Sequence, residues 1–147
     1  DSKIVEEVRY LRYLLESDLA TLACDRMHSA TIEKLRENIQ LQKYYNRKNA
    51  DKLLQLDRDF HYEIYKTCDK LFLYDMVKKI SIHFDRSRKL SFVVGKPELI
   101  IEDHEKIISA IESGDKNTAE NITKIHLSRS LDDMPSLKEK YPDFFLN

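Results

Sequence analysis

Glycine and proline are scarce in this chain, two of one and three of the other in 147 residues. So few chain breakers leave little room for the tight turns of a many-stranded sheet protein. With charged residues at 35%, the composition points to helices. Tryptophan is absent, and the two cysteines, Cys24 and Cys68, form no CxxC pair. A disulfide scaffold or a cysteine-rich zinc module therefore finds no support, and both read as buried thiols in a reducing cytoplasm. No apolar run reaches the ~20 residues that span a bilayer, and no signal peptide opens the chain. The formal net charge of −1 gives the chain as a whole no electrostatic reason to hold nucleic acid. The first residue is Asp1 rather than Met and a helical pattern begins almost at once, so the chain reads as a piece of a longer protein.

What is present is helical periodicity from end to end. The length suits one domain, residues 1–147, with a real core. Six helices are expected, at about residues 2–27, 29–47, 50–67, 70–94, 98–113 and 115–132. The segment Asn46-Arg47-Lys48-Asn49 separates the second from the third, Gly95-Lys96-Pro97 stops the fourth, and Gly114 stops the fifth. Pro135 lies just past the sixth, and Tyr141, Phe144 and Phe145 in the tail are candidates to pin it to the bundle or to a partner. The connections are short, so sequential helices should pack antiparallel in an all-α bundle.

Four polar residues break the apolar stripes of these helices. Asp57 and His61 lie among Leu53, Phe60, Ile64 and Cys68. His104 lies among Ile100, Ile107, Ile108 and Ile111, and His126 among Ala119, Ile122 and Ile125. A buried carboxylate without a partner is expensive; it neutralises, pairs or coordinates a metal. Asp57 and His61, four apart, stack on one helix face. His104 stands 10 residues before Gly114 and His126 stands 12 after it (114 − 104 and 126 − 114). At ~1.5 Å per residue these are roughly 15 and 18 Å from the turn, so an antiparallel hairpin brings the two imidazoles to one height. Each histidine alone would pass for a satisfied core residue; together with Asp57 they form a candidate metal site. Three imidazoles and a carboxylate suit zinc or nickel, and also manganese, cobalt or iron(II). His83, in register with Met76 and Ile80, misses the height of His61 by roughly 9 Å and reads as a pocket wall. His28, at a helix junction, reads as surface.

Two other chemistries need weighing. A metal-dependent hydrolase or oxygenase could use the same ligands to activate water, but no general base is evident: Glu63 and Glu105 follow the histidines and should face outward. A di-iron carboxylate bundle needs paired Glu-x-x-His motifs, and none occurs.

Several segments carry a resemblance. Arg12-x-x-x-Glu16 followed by Leu19-Ala20 and Leu22-Ala23, Asp57-x-x-Phe60-His61-x-x-Ile64, and Asp103-His104-x-x-Ile107-Ile108-x-Ala110-Ile111 with Gly114-Asp115, Ala119 and His126-Leu127 resemble the FadR-type C-terminal (FCD) domain of GntR-family bacterial transcription regulators. The likeness spans about residues 4–130. It implies a cytoplasmic, non-enzymatic domain that forms a homodimer and binds a small effector. An N-terminal winged helix-turn-helix domain, absent from this chain, would contact operator DNA. It also implies a divalent metal held by an Asp and three His, here Asp57, His61, His104 and His126, with a small organic acid completing the coordination. The cationic candidates for that acid are Arg12, Arg86 and Arg88, with His83 beside them. Arg12 has a second reading as an i,i+4 partner of Glu16, and periodicity alone leaves open whether Arg86 or Arg88 points inward. Asp69 stands where the family's turn often has Asn, residues 91–99 have little family character, and the helix count is that of the six-helix members.

Overall fold

A computed structural model describes residues 2–145, apart from the side chains of Ser2, His83, Ser130, Leu131, Phe144 and Phe145. The pocket-wall role expected of His83 and the pinning role expected of Phe144 and Phe145 thus lie outside the described residues. The described chain is all-α: α1 (Ser2–Arg26), α2 (Ser29–Tyr45), α3 (Ala50–Thr67), α4 (Leu71–Ile80), α5 (Ile82–Val94), α6 (Pro97–Ser113) and α7 (Lys116–Lys140), then a 3₁₀ turn at Pro142–Phe145. None of these helices is long and apolar enough to cross a membrane.

Local chemistry fixes most of the boundaries. Asn49 caps α3 by accepting the Lys52 N–H at 3.0 Å, and Asp115 caps α7 by accepting the Thr118 N–H at 3.2 Å. Gly114, at φ 72°, closes α6 in the left-handed conformation, and the Asp115 N–H reaches back to the Ala110 carbonyl at 2.9 Å. The same closure ends α3 without a glycine. Asp69 takes φ 56° and the Lys70 N–H reaches the Tyr65 carbonyl at 2.9 Å, so aspartate fills the turn position that Asn often holds.

Two expectations need correction. The fourth helix, expected to run unbroken over residues 70–94, is interrupted at Ser81, which raises the count from six to seven. Ser81 sits at φ −84° and ψ 1°, and its N–H bonds the Lys78 carbonyl at 3.3 Å, a 3₁₀-type step between two α segments. No glycine or proline marks the break. The last helix, expected to stop near residue 132, continues through Pro135 to Lys140. The cause is tertiary: Leu137 is fully buried and holds the extra turns against the bundle.

The core joins Leu19, Ala23, Leu35, Ile39, Phe60, Ile64, Ile107, Ile108 and Ala119 in one cluster. α7 lies along α1 and α6, while α3 packs on α2 and α5. This arrangement sets the polar positions of α3, α6 and α7 facing one another at the centre.

Candidate metal centre

The helix heights derived from the sequence expect His104 and His126 to meet, and their Nε2 atoms lie 3.3 Å apart. His61 Nε2 is 3.2 Å from His126 Nε2. Asp57 Oδ1 is 3.3 Å from His104 Nε2 and 3.6 Å from His61 Nε2. One ligand atom from each of the four residues lies within 4.8 Å of every other. All four side chains are buried, His104 and His126 completely.

What holds the rings in this orientation is the other ring nitrogen. His61 Nδ1 is 2.9 Å from Glu16 Oε1. His104 Nδ1 is 2.7 Å from Gln42 Oε1, and Gln42 is itself oriented by donating Nε2–H to Asn38 Oδ1 at 2.6 Å. An amide oxygen only accepts, so His104 carries its proton on Nδ1 and turns a lone pair inward. His126 Nδ1 faces Asp103 Oδ2 at the longer distance of 3.4 Å, and Asp103 is gripped by Arg129 at 2.5 and 2.9 Å. A carboxylate or carbonyl behind each histidine, with three Nε2 atoms converging in front, is the arrangement by which second partners orient metal ligands.

The centre of the cluster is short of donors. Asp57 Oδ1 is buried and accepts no hydrogen bond among the described residues. The nearest cation is Arg88, almost wholly buried, with Nε 3.8 Å from Asp57 Oδ2 and Nη2 3.4 Å from His126 Nε2. Burial alone would push the Asp57 carboxyl up, but Arg88 and the imidazoles of His104 and His61 hold it well below the usual carboxylate range. Burial drives His104 below the ordinary imidazole value and His126 well below it. His61 goes the other way, because Glu16 and Asp57 outweigh its burial. The donor set of three imidazoles and one ionised carboxylate fits a divalent transition metal, which would give the unbonded Asp57 Oδ1 a partner.

The remaining candidates separate clearly. Of the two arginines that periodicity left unresolved, Arg88 points inward and Arg86 is exposed. Arg12 is buried, with Nε 2.6 Å and Nη2 3.3 Å from the two Glu16 oxygens and its guanidinium over the Phe84 ring. It thus takes the partner that i,i+4 spacing offers. Glu16 also accepts the Tyr65 hydroxyl at 3.1 Å, and its carboxyl is held below the ordinary range by Arg12 and His61 against the opposing effect of burial. Glu63 pairs with Lys34 at 2.5 Å and Glu105 pairs with Lys43, so neither serves the centre as a base. Beside the cluster, Arg12, Glu16, Asp57, His61, Tyr65, Tyr74 and Val77 help to line a cavity of about 30 Å³, room for a water or two.

Glu16 and Asp103 stand in the motifs that carry the resemblance without a role at the centre being read for them, and Gln42 was not singled out at all. Gln42 had a signal, since it follows Ile32, Leu35 and Ile39 on the buried stripe of α2. Asp103 likewise lies on the buried face of α6. Glu16 was masked by Arg12, which accounted for it locally.

An all-helical domain with a buried Asp/His₃ donor set is the class that fold and site define. The FCD domain family model matches residues 7–129. The chain belongs to the FCD domain family, the one its motifs resemble. It is 25% identical over 138 residues to the HTH-type transcriptional repressor RspR of Escherichia coli (strain K12), covering 92% of this chain and 60% of that protein. An HTH-type transcriptional regulator in unstable DNA locus from Streptomyces ambofaciens is 24% identical over 148 residues, covering 99% and 61%. The chain thus spans about 60% of the length of these curated relatives. The solved structure of Streptococcus agalactiae GntR shares the fold with a TM-score of 0.70 at 21% identity, over 87% of this chain and 58% of that one.

Proposed function

We propose that this chain is the ligand-sensing domain of an HTH-type transcriptional regulator, and that its sensor is a single divalent metal at Asp57, His61, His104 and His126. The observation that carries the reading is the convergence of three Nε2 atoms and an unpartnered Asp57 oxygen within 4.8 Å, with Glu16, Gln42 and Asp103 behind the rings. Zinc or nickel suits this donor set best, with manganese, cobalt and iron(II) within its range. When bound, the metal supplies a Lewis-acidic centre with positions left for an oxygen ligand. Arg88, beside Asp57 and His126, is the cation that selects a small organic acid there. The cavity of about 30 Å³ is smaller than such an acid, so its wall must yield when the acid enters. That movement is what a helix-turn-helix domain outside this chain would read before releasing or holding operator DNA. An effector controls the regulator only through its different affinity for the two states. Single-domain organisation over residues 1–147 belongs to this reading. So does a non-enzymatic role, which agrees with the transcriptional regulators among its relatives.

The test is metal analysis of purified protein beside an Asp57→Ala/His104→Ala variant, with circular dichroism on both. About one equivalent of transition metal in the parent and none in a folded variant is the expected result. No metal in either protein, even after zinc or nickel is added, overturns the reading. Turnover of an ester or phosphate by the loaded protein would favour the hydrolase instead.

A further inference from the structure

The step between α4 and α5 has no role in the metal reading. Ser81 makes it, as the last cap of one helix and the first cap of the next. A serine at a helix start normally has extended backbone and turns its hydroxyl onto an N–H of the first turn. Ser81 does neither: its φ is −84°, its ψ is 1°, and its side chain makes no capping bond. The other use a helical serine finds is a bond back to a carbonyl of the preceding turn. That bond is missing too. Ser81 is 4% exposed, and its Oγ is buried with no hydrogen-bond partner among the described residues. Burying a hydroxyl in this way is unfavourable. Its position gives it a use, because Ser81 lines the cavity beside the metal centre together with Asp57, His61 and Asp85. Asp85, one turn on, gives its carboxylate to Arg58 at 2.9 Å. Arg88, two turns on, lies on the same side of the helix. Its Nε is likewise buried without a hydrogen bond, 3.8 Å from Asp57 Oδ2. Ser91 also has a buried, unbonded hydroxyl, but it does not line this cavity.

Building on the sensor reading above, we infer that Ser81 is a residue that reads the small organic acid. Its hydroxyl donates a hydrogen bond to the acid's carboxylate and so ties the acid to the joint between α4 and α5. A carboxylate suits the place because it only accepts, and the unbonded groups on this side of the helix are an O–H and an N–H. A 3₁₀ step between α segments often marks a hinge. On one side of this step, α4 walls the cavity through Tyr74, Val77 and Lys78; on the other, α5 carries Arg88 to the centre. An acid bonded at the joint therefore fixes the angle between the cavity wall and the helix that reaches the centre. This accounts for a helix break that no glycine or proline marks.

The experiment titrates acetate, glycolate and malonate separately into zinc-loaded protein by calorimetry, for the parent, Ser81→Ala and Ser91→Ala. Zinc affinity and a urea melt of the metal-free protein are measured for each. Ser81→Ala should bind the acid that the parent binds best at least about tenfold more weakly, with zinc affinity unchanged. Without metal, Ser81→Ala should be no less stable than the parent, because the hydroxyl it loses bonds nothing there. A hydroxyl with only a structural role would cost stability instead. Ser91→Ala should leave acid affinity as it is. Equal acid affinity in the parent and Ser81→Ala, a loss of the same size in Ser91→Ala, or a destabilised metal-free Ser81→Ala would overturn the inference while the sensor reading stands. A parent that takes up no zinc, or takes up zinc and none of the three acids, would overturn the sensor reading and this inference with it.

Discussion

A single neutral side chain, Gln42, tests the centre most cleanly. It is 1% exposed and turns its oxygen to His104 Nδ1 at 2.7 Å while its nitrogen donates to Asn38. Gln42→Leu keeps the volume and introduces no charge. It removes the acceptor behind His104 and leaves a buried N–H unpaired, which costs about 1–3 kcal/mol of stability. It also frees the ring to rotate or to change tautomer. Losing such a supporting partner should lower metal affinity roughly 10–100-fold. A competition titration against a chromophoric chelator, with a urea melt of the metal-free protein, separates the two effects. Unchanged affinity in the variant would mean that His104 does not act as a ligand. The four central residues were legible in the sequence because each is a polar break in an apolar stripe, and helix heights could be counted from Gly114. Their supports were less legible because they come from other helices. Glu16 is 45 positions from His61 and Gln42 is 62 from His104 (61 − 16 and 104 − 42). No periodicity within one helix reports such a pairing.

At the scale of elements, the boundaries written in turn chemistry were the ones the sequence disclosed. Gly114 and the polar segment before α3 act locally, through a left-handed residue and a side-chain cap. Of the two boundaries that departed from expectation, the end of α7 is set by packing. Proline inside a helix removes one backbone hydrogen bond and crowds the preceding turn, a cost of ~3 kcal/mol. α7 bears it because residues beyond Pro135 find a place on the bundle. Leu137 is 0% exposed, and the Tyr141 N–H closes the end on the Leu137 carbonyl at 2.8 Å. Asp133 approaches Gly95, where a Cβ would lie 2.7 Å from the Ser91 carbonyl oxygen and 2.9 Å from Asp133 Oδ2, so only glycine fits there without a shift. Leu137→Ala should therefore cost about 2–5 kcal/mol by urea melt. It should also detach the end of α7, so that limited proteolysis cuts after Pro135 while the remaining helices stay protected. A variant with parental stability would show that the last turns carry no packing energy. The Ser81 break has no comparable local or packing signature in the sequence, which is why it was not foreseen.

For the molecule as a whole, the centre is where nearly every helix meets. α3 brings Asp57 and His61, α6 brings His104 and Asp103, and α7 brings His126. α1 reaches in with Glu16, α2 with Gln42 and α5 with Arg88. Among the described residues α4 supplies no ligand and no partner to a ligand. It forms part of the wall of the small cavity through Tyr74, Val77 and Lys78. A metal at the centre would link six helices and stabilise the native state by about 2.7 kcal/mol at a hundredfold excess over its Kd. Helix α4 would stay on its own two ends, the left-handed Asp69 and the step at Ser81. Hydrogen exchange followed by mass spectrometry, with and without zinc, should show slower exchange across residues 53–64, 100–111 and 119–127, with peptides covering α4 unchanged. Adding a small carboxylate to the zinc-loaded protein should then alter α4, the wall an entering acid displaces. The same helix carries Phe72, Met76 and Ile80 exposed on its outer side. A ligand that moves α4 thus changes the outer surface through one rigid element, with no longer path required. Equal protection of α4 by zinc alone would remove that element's independence, and with it this route from pocket to surface.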